Sequence, residues 1–145
     1  MFSSRGAASK LALGISGSSW PLLQRLQVRG YVDQIALTPG AASTLEIKST
    51  DVLVASASEI IRIYWQVDGV LLIVGAIGAV TRLVAPILKS KEEDPAVLVL
   101  DANGKHVVPL LGGHRAGAES LALQLAADLG GKAVLTGDSI TQGRY

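Results

Sequence analysis

The sequence predicts a single α/β domain with a small, mainly parallel sheet, flanking helices and one β-hairpin. Short apolar runs of strand length alternate with segments whose apolar residues recur at helical spacing, which is typical of a parallel sheet. Residues 70–74 are a continuous apolar run, as expected of a strand that is covered on both faces. The Asn103-Gly104 dipeptide between two β-rich runs predicts the hairpin. A length of 145 residues suits one hydrophobic core.

The composition excludes several classes of function. The chain has 13 Lys and Arg against 12 Asp and Glu, so no strong basic field favours nucleic acid as a partner. Cysteine is absent, which excludes disulfides and thiolate metal sites and fits a cytoplasmic protein. The longest apolar stretch, residues 69–81, is shorter than the roughly 20 residues that cross a membrane. We therefore expect neither nucleic acid nor a membrane as a partner.

Residues 1–67 are predicted to be a strand-helix-strand half of the domain with a poorly diagnostic N-terminus. Residues 1–6 hold one Arg among small residues and lack the apolar core of a signal peptide, so we interpret them as a frayed start. Residues 10–15 predict a strand. Ser18 or Ser19 then caps the first helix.

The remainder of this half is predicted to hold a strand, a loop and a second helix. Residues 32–38 favour a strand, and the small and polar residues 39–44 favour a loop. Thr50 or Asp51 is a candidate cap for a helix that ends near Gln66.

Residues 68–145 are predicted to be the second half of the same domain. After the strand at 70–74, apolar residues at helical spacing predict a helix over residues 79–89, which Pro86 should kink or end early. Residues 118–129 predict a third amphipathic helix. Residues 133–136 predict a final short strand.

Two glycine-rich turns, residues 75–78 and 112–117, each follow an apolar strand and precede a helix. Such a turn directs free backbone N–H groups and the positive end of a helix dipole toward one spot, which suits carboxylates or phosphates. Ligands of open α/β sheets bind outside the carboxyl ends of the strands, so we expect both turns to face one ligand. The candidate binding residues are Gly75, Gly78, Thr81, Arg82, Gly112, Gly113, Gly117 and Glu119.

His114 is the candidate catalytic residue. An imidazole flanked by glycines at an exposed turn suits general acid–base chemistry near neutral pH, whereas the alternative is a capping or solvated histidine. Arg82 lies one helical turn after Gly78 and either reaches back to a bound carboxylate or covers the apolar stripe. Glu119 is more simply a first-turn acid that complements the helix dipole than an acid–base partner of His114.

The other polar residues carry weaker signals. His106 lies eight residues before His114, which matches no standard metal spacing, so we interpret it as structural and expect no metal site. Residues 89–94 predict a solvated charged loop, and the dinucleotide fingerprint is incomplete in the first glycine turn. Asp138, Ser139 and Thr141 follow a predicted strand, and we interpret them as a fraying terminus rather than as polar site groups.

Three segments together resemble the amino-terminal domain of the CbiG family, the cobalt-precorrin-5A hydrolases of cobalamin biosynthesis. They read VGAIGAVTRLVAP at residues 74–86, DPAV at 94–97 and PLLGGHRAGAE at 109–119. Their order and spacing are more specific than either glycine turn alone. The resemblance covers roughly residues 68–138 and is strongest to forms fused ahead of a precorrin-3B methyltransferase.

The resemblance implies hydrolysis of a ring lactone in a cobalt-bearing contracted macrocycle, followed by loss of acetaldehyde. The implied partner is a carboxylated corrinoid intermediate; cobalt belongs to that substrate, so no cofactor of the protein's own is expected. In this interpretation His114 transfers the proton, the backbone of Gly78, Gly112 and Gly113 binds the anion or oxyanion, and Arg82 binds a substrate carboxylate. The alternative is a noncatalytic module that binds a tetrapyrrole or docks onto a methyltransferase domain.

Two departures from the family pattern leave catalysis by this chain open. The family commonly has a Ser-Gly-His turn followed by Gly-Gly-Ala-Asn, whereas Gly112 and Glu119 stand here in place of the hydroxyl and the amide. The family also carries further domains toward the carboxyl end. An active site built between those domains would be incomplete in the present sequence.

Overall fold

The computed structural model describes residues 9–47, 51–113 and 116–137. Their strands are β1 (Lys10–Gly14), β2 (Gln34–Leu37), β3 (Val52–Val54), β4 (Val70–Val74), β5 (Ala96–Leu100), β6 (His106–Leu111) and β7 (Lys132–Ala133). Their α-helices are α1 (Trp20–Val28), α2 (Pro39–Ser43), α3 (Ala57–Ile63), α4 (Ile77–Val84) and α5 (Ala118–Leu129). Short 3-10 turns lie at Gly17–Ser19 and Ala85–Ile87.

The strands form one seven-stranded sheet in the order β3-β2-β1-β4-β5-β6-β7. Strands β1 to β5 run parallel, β6 pairs antiparallel with β5, and β7 runs parallel to β6. The chain moves outward from β1 to β3 and then returns to place β4 on the other side of β1. The α/β class, the mainly parallel sheet and the hairpin are therefore confirmed.

Helices cover both faces of the sheet. On one face, α1 and α5 pack over side chains such as Leu72 and Leu98; on the other, α3 and α4 pack over Leu71 and Ile73. Successive residues of β4 thus point into opposite core layers, which explains why its sequence is apolar without a break. Among the described residues no helix is long and apolar enough to cross a bilayer.

The loop predicted at residues 39–44 is wrong, because this segment forms α2. The hydroxyl of Thr38 accepts a hydrogen bond from the Ala41 amide at 3.2 Å, and Pro39 occupies the first turn. A Thr cap followed by proline is a helix-start signal that outweighs the turn composition.

The helix predicted from residue 50 or 51 to 66 is wrong in its first part. Val52 pairs with Ile35 in the parallel β2–β3 ladder, as suits a β-branched segment. Helix α3 begins only after Ser56, whose hydroxyl caps the Glu59 amide at 3.3 Å. Thr50, the other candidate cap, lies outside the described residues.

The second half follows its sequence pattern more closely. Helix α5 has the predicted bounds and ends at Gly130, which adopts the left-handed conformation with φ 73°. Helix α4 ends at Val84 and passes into a 3-10 turn around Pro86, as expected of a residue without an amide hydrogen. The last strand is shorter than predicted and lies at Lys132–Ala133.

The β5–β6 hairpin is closed by Asp101 and Gly104. The Gly104 amide donates to the Asp101 carbonyl at 2.9 Å, and Gly104 has a φ of 69°. The Asp101 carboxylate accepts hydrogen bonds from the amides of Lys105 and His106 at 2.8 and 3.2 Å and lies 2.9 Å from the His106 ring. His106 is thus engaged within the hairpin.

This carboxylate makes the hairpin sensitive to acid. Burial raises the pKa of Asp101, but the hydrogen bonds from His106 and Lys105 outweigh burial and hold that pKa below its ordinary value. The stabilisation is therefore present above about pH 4 and is lost as the pH falls through the lowered pKa.

We expect Asp101→Asn to be less stable than the wild type at pH 6 by less than about 1 kcal/mol, because the side chain is exposed to solvent. The difference should shrink below about pH 4, as measured by urea unfolding at several pH values. A difference that does not change with pH would contradict this assignment.

Candidate functional site

The two glycine-rich turns lie at opposite edges of the sheet. Gly75 follows β4 at the edge formed by the carboxyl ends of the parallel strands, where its amide donates to the Leu100 carbonyl at 3.1 Å. Gly112 follows β6, whose last residue Leu111 pairs with Val97 near the beginning of β5. The length of β5, about 13 Å, therefore separates the two turns. The expectation that both face one ligand is wrong.

The direction of β6 is the physical reason for this correction. A hairpin reverses the chain, so the carboxyl end of β6 lies beside the amino ends of the parallel strands. The Asn103-Gly104 turn in the sequence already implied that β6 runs antiparallel to β5. The general rule about carboxyl ends of parallel strands does not extend to a strand that runs the other way.

The first turn places four candidate residues together. Gly75 lies against the Ile15 side chain, whose Cδ1 would be 2.8 Å from an added Cβ. Ala76, which precedes α4, offers no side-chain cap to the helix amides. Arg82 donates to the Gly78 carbonyl at 3.3 Å, and its binding of a ligand carboxylate stays a prediction.

Thr81, the fourth of these candidates, donates its hydroxyl to the Ile77 carbonyl at 2.8 Å. Both Thr81 and Arg82 are exposed. Their hydrogen bonds are thus directed to the carbonyls of their own helix.

The second turn is organised differently. The carbonyls of Gly112 and Gly113 accept hydrogen bonds from the amides of Ala118 and Glu119 at 3.0 and 2.9 Å. The expectation that this turn leaves the first helix amides free is therefore wrong for these two groups. Gly117 precedes α5 in the left-handed conformation, with a φ of 80°.

Glu119 lies close to this turn. A Cβ added to Gly113 would be 3.2 Å from the Glu119 carboxylate, which shows how near the acid lies to the glycine. His114 follows Gly113 in the sequence and lies outside the described residues. Its role in proton transfer stays a prediction.

A cleft of about 630 Å³ lies beside the second turn. One wall contains Leu110, Leu111 and the two glycines that follow them, and the other contains Leu88 and the loop of residues 89–94. Volumes of this size are typical of small-molecule sites. We refer to this space as the cleft and to residues 89–94 as the 89–94 loop.

Sequence reasoning missed the cleft because it treated the 89–94 loop as solvated. Lys89 and Lys91 do line the cleft with exposed side chains. The only local hint was Leu88, an apolar residue between the helix and the charged loop. The pairing of β5 with β6 brings the two walls together, and no local pattern encodes that.

A smaller cavity of about 370 Å³ lies on the other face of the sheet, near the amino end of β1. Asp128 of α5 pairs there with Arg29 and accepts a hydrogen bond from the Tyr31 hydroxyl at 2.8 Å. Burial, followed by the hydrogen bond to Asp128, raises the pKa of Tyr31. These contacts attach the segment after α1 to α5.

The part of the chain that the structure describes holds no group of three or more His, Asp or Glu side chains arranged for a metal ion. His106 pairs with Asp101 of the hairpin.

The residues that line the cleft belong to a segment that matches a known protein family. The family described as "Cobalamin synthesis G N-terminal" matches residues 59–139. All residues that line the cleft fall within this range, whereas Lys10, Arg29 and Tyr31 of the smaller cavity do not. The first glycine turn lies within the same range, so the family match covers both the cleft and that turn and does not choose between them.

Two curated relatives are named cobalt-precorrin-5A hydrolase. The protein from Priestia megaterium is 46% identical over 72 residues, and that from Salmonella typhimurium is 46% identical over 66 residues. These matches cover 50% and 46% of this chain. The aligned segment is 19% of each relative, so the chain spans about a fifth of their length.

A solved structure supports the same relationship through the fold. A cobalamin biosynthesis protein G homolog from Sulfolobus solfataricus superimposes with a TM-score of 0.63 and 25% sequence identity. The match covers 88% of this chain and 36% of that protein. The family match itself extends over more than half of the 145 residues. The chain therefore belongs to the cobalamin synthesis G N-terminal family.

Proposed function

We propose that this chain binds a carboxylated corrinoid lactone in the cleft and takes part in hydrolysis of the lactone with release of acetaldehyde. The observation that carries the proposal is that the cleft is lined by residues of the family-matched segment and ends at Gly113, directly before His114 in the sequence. The cobalt ion enters with the substrate.

The cleft offers the two kinds of contact that such a ligand needs. Leu88, Leu110 and Leu111 provide apolar surface for the edge of a macrocycle. Lys89 and Lys91 provide ammonium groups for its acetate and propionate side chains. Arg82 and the first turn lie at the opposite edge, so we do not include them in this site.

The proposed chemistry is attack of water on an ester carbonyl. The water gives a proton to the base as its oxygen bonds to the carbonyl carbon, the ester C–O bond breaks, and the leaving alkoxide takes up that proton. The hydroxyethyl group that results then loses its hydroxyl proton, its C–C bond to the macrocycle breaks to give acetaldehyde, and the macrocycle carbon takes up a proton. Such a step needs a base for the water and a donor for the developing oxyanion. His114 is the proposed base.

A matched pair of variants tests the location. Leu88 lines the cleft and Ile77 lies at the opposite edge, yet both are 46% exposed. We expect Leu88→Asp to weaken corrinoid binding by about tenfold or more, because a negative charge replaces the apolar contact with the ligand, and Ile77→Asp to leave the affinity unchanged. Titration followed by the visible absorbance of the corrinoid measures both affinities. The reverse pattern would place the ligand at the first glycine turn.

Turnover is tested separately from binding. We expect His114→Ala to retain binding and to slow acetaldehyde release by about 100-fold or more, the usual contribution of general base catalysis. A coupled alcohol dehydrogenase assay measures the acetaldehyde. Binding by the wild type without any acetaldehyde would instead support a noncatalytic tetrapyrrole-binding or docking module.

A further inference from the structure

The buried carboxylate of Asp94 is not used in the chemistry proposed above. Only Ser19 and Asp94 are buried polar side chains among the described residues, and Asp94 is 8% exposed. Asp94 lies at the end of the 89–94 loop and also lines the cleft. A buried carboxylate is costly unless hydrogen-bond donors surround it, so its contacts indicate what it holds in place.

Asp94 closes the 89–94 loop on itself. The Lys89 amide, at the beginning of the loop, donates to the two carboxylate oxygens at 3.0 and 3.2 Å. The Asp94 amide donates to the Ser90 carbonyl at 3.0 Å. The two ends of the loop are thus joined through both the side chain and the backbone of one residue.

Trp65 attaches this closed loop to the rest of the domain. Its indole N–H donates to Asp94 Oδ1 at 3.2 Å, across 29 residues of sequence. Trp65 follows α3 and packs against the core layer formed by α3 and α4. The carboxylate therefore links the loop to a fixed part of the fold.

The loop carries charges that are available to a ligand. In the described ranges neither Lys89 nor Lys91 has an ion-pair partner within 4.0 Å. Glu92 and Asp94 also line the cleft, so two negative side chains offset the two positive ones. Net charge alone thus gives little preference for a carboxylate, and the arrangement of the loop must provide that preference.

We propose that Asp94 is a positioning residue that fixes the 89–94 loop, so that Lys89 and Lys91 meet the carboxylates of a ligand in the cleft. This inference rests on the proposed function, and it adds a selectivity for free carboxylate groups. Holding the loop in place before binding lowers the cost of ordering it around the ligand.

The test compares Asp94→Asn with Glu93→Gln. Both variants remove one negative charge from the loop, but Glu93 does not line the cleft. In Asp94→Asn an amide group replaces one oxygen that accepts from Lys89. The probes are a cobalt corrin with seven free carboxyl groups and its heptamethyl ester, which has the same ring without the negative charges.

We expect Asp94→Asn to bind the carboxylate form about tenfold more weakly and the ester with unchanged affinity, because the lysines lose their orientation. The Lys89 amide should exchange with solvent faster, since an NH2 group replaces one of its two acceptor oxygens. Glu93→Gln should change neither quantity. Trp65→Phe, which removes one donor and keeps the carboxylate, should shift both in the same direction and serves if Asp94→Asn does not fold.

Three outcomes would overturn part of this account. Unchanged affinity of folded Asp94→Asn for the carboxylate form would overturn the positioning role. Equal weakening for both corrins would do so too, because a merely structural defect affects them alike. Failure of the wild type to bind either corrin would overturn the proposed function itself.

Discussion

Gly112→Ala is expected to lower the free energy of unfolding by about 2–4 kcal/mol. Gly112 has a φ of 73°, which costs an L-residue energy, and the added Cβ would lie 2.9 Å from Ala116 Cβ and 3.0 Å from Ala96 Cα. The Pro95 carbonyl oxygen would be 3.2 Å away. Two of these three neighbours are backbone atoms, which cannot rotate aside.

Gly130→Ala is the matched control for this prediction. Gly130 has the same φ of 73°, yet nothing lies within 4 Å of an added Cβ. The Gly130→Ala variant should lose about 1–2 kcal/mol of unfolding free energy, which is the cost of the left-handed conformation alone. Urea unfolding of both variants measures the difference. Equal losses would show that the close approach of the turn to β5 contributes nothing.

Leu98→Ala is expected to lower the free energy of unfolding by about 2–5 kcal/mol. Leu98 is 0% exposed and lies in the middle of β5, where its side chain packs in the core layer beneath α1 and α5. Truncation removes buried methyl groups and leaves a cavity that neighbouring strands cannot fill by collapsing.

Leu123→Ala provides the comparison for the same chemical change. Leu123 lies on α5 and is 47% exposed, so its loss should change stability by no more than about 0.5 kcal/mol. Chemical denaturation of the two variants under identical conditions tests both values. A small effect at Leu98 would contradict the two-layered core around β5.

The placement of the glycine turns changes the interpretation of the family-matched segment. Helix α4 begins at the turn after β4, and the 3-10 turn that follows it leads to Leu88, so this segment connects the two edges of the sheet. Arg82 and Lys89 are close in sequence, but they therefore lie at opposite edges of the sheet. The proposed corrinoid site uses the amino-end edge, and the Leu88 and Ile77 variants distinguish it from the carboxyl-end edge.

Local patterns predicted the elements whose signals lie within a few residues. The bounds of α5 follow from its apolar spacing and from Gly130, and the β5–β6 hairpin follows from Asn103-Gly104. The prediction was wrong where two local signals competed. Pro39 reads as a turn residue or as the start of a helix, and the capping hydroxyl of Thr38 decides for the helix.

The sequence by itself determined the α/β class, the alternation of strands and helices and the family resemblance, because apolar periodicity and short motifs are properties of neighbouring residues. Only the tertiary structure decided that Gly78 and Gly112 lie at opposite edges, that Leu88 meets Leu110 across a cleft, and that Trp65 holds Asp94. These contacts depend on strand direction and on packing between distant segments. They form only when all the strands and helices pack together, so no single segment of the sequence encodes them.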